Sequence, residues 1–344
     1  METITITDIA RMCGVGVTTV SRAINNHPDI NEETKARVMK VIKENHYVPN
    51  NSARNLKRSA SKTIAVLIKG ITNPFFNPMI NVFEKEIKRK KHSFILQRVD
   101  ENEDEIEVAI ELAKEKRLTG IVFLGGNFLH SEEKISQLTV PFVLSTIGIG
   151  AEFDSNKYSS VSVDDFKESY KMVDYLCSQG HKKIAIITAP MKDMSIGKLR
   201  YEGYKKALED NGIEYNEKLI RCTKEMIEGY SMENGYGVTK ELLESKEEFT
   251  ALYAISDSLA IGACKAIIEA GKRVPEDYSL AGFDGLDISF YYNPSITTIK
   301  QPVEKIAQES INVLFKLINK KTTHVHKIFS AELVIRESTK LLQG

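Results

Sequence analysis

From Ile64 onward, short apolar runs alternate with stretches in which apolar residues recur at helical spacing, and this alternation is the strongest constraint on the fold. The runs are IAVLI (64–68), SFILQ (93–97), GIVFL (120–124), FVLST (142–146), KIAIIT (183–188), ALYAI (251–255) and SLAGF (279–283). Each has the length of a strand buried on both faces. Between them lie Pro78–Lys90, Glu103–Lys116, Asp165–Gln179, Lys198–Asn211, Met232–Glu244 and Ser258–Ala270, which read as crossover helices. The pattern predicts α/β architecture, with parallel sheets covered by helices on both faces. There are runs enough for two such sheets, hence two lobes, with ligand expected at the carboxyl ends of the strands.

The first 45 residues have another texture: three helical patterns separated by tight turns. Thr5 and Asp8 form a capping box, and Gly14 supplies a helix stop. A second helix is expected from Val17 to Ile24, with Val20, Ala23 and Ile24 as its apolar stripe. Asn31 caps a third helix with Val38, Val41 and Ile42 inward. Helix, glycine-containing turn and second helix have helix-turn-helix spacing. Residues 1–62 hold ten Lys and Arg against six Asp and Glu, although the 47 basic and 47 acidic residues of the whole chain cancel. A basic head suits a polyanion, weakly on charge alone.

TITDIARMCGVGVTTVSRAIN, followed by INEETKARVMKVIKENHYVPNNSARNLK, resembles the DNA-binding head of the LacI/GalR family, near-continuously over residues 3–57 and in blocks to Glu337. The resemblance implies a three-helix head with a hinge helix, then a two-lobed core like that of periplasmic sugar-binding proteins, with two doubly wound parallel sheets. The expected domains are 1–49 (head), 50–62 (hinge and linker) and 63–344 (core). Lobe 1 would take about 63–162 and 300–326, and lobe 2 about 163–299 and 327–344. The second helix would lie in the major groove, with Val17, Thr18 and Arg22 toward base edges and Thr19, Ser21 and Asn25 toward phosphates. Gly16 stands where the family usually has a serine, so a helix cap is missing.

Asn50–Lys57 resembles the family's hinge helix, too short to be stable alone. There Leu56 matches the residue that wedges into the minor groove. Ala53 permits close pairing with a twin helix, and Arg54 reaches the groove edge or backbone. In the core the resemblance carries IAVLIKGITNPFFNPMI, GKLRYEGYKKAL, YAISDSLAIGACKAI and PEDYSLAGFDG. It implies effector-binding roles for Arg200 and Asp284 toward sugar hydroxyls and for Tyr230 as a stacking ring. Asn73, Phe75, Phe76, Ser256 and Gln301 are further candidates. Read without the resemblance, Arg200 is also a possible surface residue, Asp284 a turn cap, and the three rings plain core. Thr146 and Ser256 depart from the family's usual residues, and Met194 replaces an arginine used for purines in one branch.

The expected partners are a near-palindromic operator duplex, a sugar or sugar-phosphate effector and a second copy of the chain. No cofactor, metal or membrane partner is expected, and no phosphocarrier partner is assigned. Cys13, Cys177, Cys222 and Cys264 show no metal or CxxC spacing and suit a reducing compartment. His324 and His326 lack further ligands. METITITDIARM lacks the signal-peptide pattern, and a cytoplasmic location is expected. The rival functions are a sugar-binding protein without a DNA role and a sugar-processing enzyme. The enzyme would need a second acid beside Asp284, and the sequence offers none.

Overall fold

The structure is a computed structural model and describes residues 4–45, 47, 62–100, 103–126, 132–147 and 154–342. The hinge residues Ala53, Arg54 and Leu56 lie outside this set. Two compact units emerge, residues 1–61 and 62–344.

In the first unit, α1 (Ile6–Cys13) begins at Thr5. The Asp8 amide donates to the Thr5 hydroxyl at 3.4 Å, and the Asp8 carboxylate accepts from the Thr5 amide at 3.0 Å. Gly14 ends the helix at φ +62°, a conformation glycine adopts without strain. The second helix, α2 (Val17–Ile24), starts at Gly16 with no side-chain cap, as expected. Asn31 caps α3 (Glu32–Glu44), accepting from the Glu33 amide at 2.8 Å. Ile9, Ala10, Cys13, Val20, Ala23 and Val38 form a small core where the three apolar faces meet.

In the second unit the apolar runs become strands. One sheet is ordered β11-β5-β4-β3-β1-β2, all parallel: β1 (Thr63–Lys69), β2 (Ser93–Val99), β3 (Gly120–Leu124), β4 (Phe142–Ser145), β5 (Ser159–Val163) and β11 (His326–Phe329). The other is ordered β12-β10-β9-β8-β6-β7: β6 (Ile184–Thr188), β7 (Ile220–Cys222), β8 (Ala251–Ala254), β9 (Ser279–Asp284), β10 (Thr297–Lys300) and β12 (Glu332–Val334). Its strands are parallel except β12, which is antiparallel to β10.

The strand order reverses at β1 in the first sheet and at β6 in the second. Each reversal opens a crevice at the carboxyl ends of the strands. The chain passes between the sheets after Val163, after Lys300 and after Phe329, so those ends face the crossings. The Val303–Ile318 helix packs on β3, β4, β5 and the Asn77–Arg89 helix of the first lobe. The sequence reading did not single out this helix, although Ile306, Ala307, Ser310, Ile311 and Leu314 make a buried stripe on it. Nor did it single out β7 or β10–β12, whose three or four residues give period-based reading little to work with.

Candidate functional site

The two units present two kinds of surface. On α2, Val17 is 42% exposed, and Thr18, Arg22 and Asn25 are also exposed. Thr19 and Ser21 are half-buried, while Val20 and Ala23 are buried in the head core. A residue every 100° produces this division: packing takes Val20 and Ala23, so Val17, Thr18 and Arg22 stay outside. Asn25 closes the helix by donating from Nδ2 to the Ser21 carbonyl at 2.6 Å. The exposed face thus offers a methyl surface, hydroxyls and a guanidinium on one short helix, the chemistry a groove edge can meet.

In the core, Arg200 organises a buried polar cluster. It lies on the Ile196–Asp210 helix and is only 2% exposed. Nε donates to Asp165 Oδ1 at 2.8 Å, and Nη1 donates to the Ile255 carbonyl at 2.6 Å. Nη1 also lies 3.3 Å from Asp284 Oδ1, and the guanidinium sits 3.7 Å from the centre of the Phe283 ring. Gln301 Nε2 donates to the same Asp284 oxygen at 3.0 Å. These residues come from the ends of β5, β8, β9 and β10, so four strands converge on one guanidinium.

Burial drives the electrostatics. It raises the Asp284 carboxyl to about 7, against the opposing pull of Arg200. Burial raises Asp165 as well, again partly offset by Arg200. Burial works against the charge on Arg200, yet the two carboxylates outweigh it and hold the guanidinium protonated. Asp257, raised by burial to about 6, serves the fold instead, accepting from Thr298 Oγ1 at 2.6 Å and from the Leu286 amide at 2.7 Å.

Tyr230 lies beside this cluster. A Cβ placed on Gly197, one turn before Arg200, would stand 3.1 Å from the Tyr230 hydroxyl, 2.8 Å from Asp193 Oδ2 and 2.6 Å from the Ala189 Cβ. Only glycine leaves room for that convergence. The Tyr230 hydroxyl is buried and has no hydrogen-bond partner among the described residues. A buried hydroxyl in that condition is costly unless something else satisfies it.

The other sequence candidates divide. Asn73 caps the short Pro74–Phe76 turn by accepting from the Phe75 amide at 3.0 Å. Phe75 and Phe76 are buried and meet edge to face at 5.4 Å, with Phe76 beneath Gly125. Ser256 spends its hydroxyl on the Leu259 amide at 3.3 Å, capping the Asp257–Glu269 helix. The contacts therefore join Arg200, Asp284 and Gln301, with Tyr230 adjacent. Asn73, Phe76 and Ser256 are held by local structural bonds or packing. Sequence reasoning missed Asp165, Asp193 and Ser195. Asp165 had a signal, an aspartate pair directly after the SVSV run, at a strand's carboxyl end. A hollow of ≈ 570 Å³ lined by Lys182, Phe249 and Tyr278 opens at the amino ends of β6 and β8, away from this cluster.

Two family profiles match the chain: "Bacterial regulatory proteins, lacI family" over residues 5–50, and "Periplasmic binding protein-like domain" over residues 173–339. The HTH-type transcriptional regulator MalR of Clostridium butyricum is 43% identical over 335 residues, covering 97% of this chain and 98% of the relative. The chain belongs to the lacI family of bacterial regulatory proteins. Among solved structures, a transcriptional regulator CelR–cellobiose complex superposes with a TM-score of 0.71 at 26% identity, covering 97% of this chain and 99% of that one. A lacI family regulator from Enterococcus faecium with bound ribose gives a TM-score of 0.68 at 29% identity, covering 82% and 100%. As a lacI family member the chain is a helix-turn-helix transcriptional regulator. These relatives are regulators, which leaves the sugar-processing enzyme without support. Among the described residues no helix is long and apolar enough to cross a membrane.

Proposed function

We propose that this lacI family regulator is a cytoplasmic repressor that binds a near-palindromic operator as a homodimer and responds to a sugar or sugar derivative. Val17, Thr18 and Arg22 read base edges, while Thr19, Ser21 and Asn25 set the helix against phosphates. Ala53, Arg54 and Leu56 form the part of the hinge that engages the minor groove. The effector binds at the strand ends, where Arg200, Asp284 and Gln301 offer donors and acceptors for hydroxyl pairs and Tyr230 a ring face. Phe75, with Asn73, Phe76 and Ser256, shapes the walls. Effector binding shifts the dimer interface near residues 77–91 and so unpairs the hinges.

One observation supports this most: Arg200 is held by two carboxylates at the meeting of four strand ends, beside an unsatisfied buried hydroxyl. A mobility shift on palindromic DNA with and without a sugar panel tests it. Release of the shifted band by one sugar is expected. By linkage, DNA must weaken binding of that sugar by the same factor. A chain that shifts no palindrome, or whose shift no sugar alters, overturns the reading.

A further inference from the structure

The cluster that would receive the effector carries no spare positive charge, and the surrounding backbone has none to lend. Arg200 already faces Asp165 and Asp284, so the trio is negative with both carboxylates ionised and neutral with one protonated. Asp193 adds a third carboxylate within the same convergence at Gly197.

Helix N-termini are the usual alternative anion sites, through their free amides and positive dipole ends. Here they are taken. Asp164 caps the Asp165–Ser178 helix, accepting from the Lys167 amide at 3.0 Å, and Asp165 opens its first turn. Ser195 caps the Ile196–Asp210 helix. Asp193 in turn accepts from the Ser195 amide at 2.8 Å and from its hydroxyl at 2.7 Å. Ser231 caps the Met232–Glu244 helix, with Glu233 in the first turn. Ser256 caps the Asp257–Glu269 helix, with Asp257 in the first turn. All four helices follow strands whose carboxyl ends face the crossings, so each presents a filled cap and a nearby carboxylate.

The nearby lysines are engaged as well. Lys69 is held by Glu105 at 3.2 Å and by the Glu103 carbonyl at 2.9 Å, and Lys192 by Glu225 at 2.7 Å. Lys300, exposed at the end of β10 beside Gly285, is the cation an anionic ligand would have to recruit.

We infer that the effector is an uncharged, unphosphorylated sugar, and that the carboxylates around Arg200 reject the corresponding phosphate esters. This rests on the sugar-effector reading above and narrows it from sugar or sugar phosphate to the neutral class. A neutral polyol matches the site: its hydroxyls donate to Asp284 and accept from the remaining guanidinium N–H groups, and one can satisfy the Tyr230 hydroxyl. A phosphate dianion would be desolvated among carboxylates.

The test is titration calorimetry and thermal shift on the full chain with matched pairs: ribose and ribose 5-phosphate, glucose and glucose 6-phosphate, cellobiose and its 6′-phosphate. A neutral sugar is expected to bind saturably and its ester on the order of 100-fold more weakly, because like-charge juxtaposition costs several kcal/mol. Asp193→Asn, which keeps the shape and removes a charge, is expected to narrow that ratio. An ester that binds as tightly as its parent overturns the inference and leaves the sugar-effector reading standing, and loss of that ester in Lys300→Gln would show the route it took. A ratio unchanged in Asp193→Asn overturns the electrostatic cause. If no member of any pair binds, the sugar-effector reading falls and this inference with it.

Discussion

The head and the core solve opposite problems with the same kinds of side chain. In the head, Arg22 is exposed on an eight-residue helix whose inner face belongs to a core of six buried residues. In the core, Arg200 is 2% exposed and surrounded by groups drawn from positions 165, 255, 284 and 301. The head's candidate groups cost the fold almost nothing, because water already solvates them. The core's groups are structural as well as functional, because a buried charge without its partners destabilises the chain that holds it. Binding and folding are therefore separable in the head and coupled in the core.

The largest effect that would break this comparison comes from Arg200→Leu. It leaves Asp165 and Asp284 buried without a counter-charge, so urea denaturation should show a loss of about 3–5 kcal/mol together with loss of effector binding. A variant of wild-type stability would mean that the cluster is not coupled to folding.

The pH dependence comes next. Asp284 keeps its proton up to about pH 7 in the folded chain and loses it near the ordinary 3.8 when unfolded. The folded state thus binds more protons between those values. The stability associated with this group is greatest at low pH, declines as pH rises through that window and levels off above about 7. The slope can be no steeper than about 1.4 kcal/mol per pH unit. Denaturation midpoints from pH 5 to 8 should decline in wild type relative to Asp284→Asn; parallel curves would remove the group from the account.

In the head, Arg22→Ala should leave the melting of the head within about 0.5 kcal/mol of wild type. Affinity for the specific operator should fall by about 1–3 kcal/mol, with little change on unrelated DNA. Equal losses on both duplexes would reassign Arg22 to phosphates. The smallest expected effect is Gly16→Ser. It supplies the cap α2 lacks and should stabilise the head by only a few tenths of a kcal/mol, because glycine is already a tolerable N-cap. A gain far larger would show that the head is limited by helix initiation rather than by its core.

What could be read in the sequence follows the same division. The capping box at Thr5 and Asp8, the stop at Gly14 and the missing cap at Gly16 are local, and they stand in the structure where their spacing put them. The longer strands were legible for a related reason: IAVLI or GIVFL has to be buried on both faces, whatever its neighbours are. The short strands β7 and β10–β12 were not, because three or four residues take their conformation from the sheet they join. Arg200 and Asp284 were reached through a resemblance to a family; nothing in their local sequence announces that they touch. Asp165 and Asp193 were missed because each reads locally as an ordinary helix-start residue.

The sequence by itself determined the elements and their faces: which residues are apolar, at what period, and where the chain turns. Those are nearest-neighbour matters of sterics and hydration. Only the tertiary structure decided the charge state and the company of Arg200. Which carboxylates lie within about 3 Å of a guanidinium is set by strand order and by the crossings between the sheets. No spacing along the chain records a pairing between residues 35 positions apart on one side and more than 80 on the other.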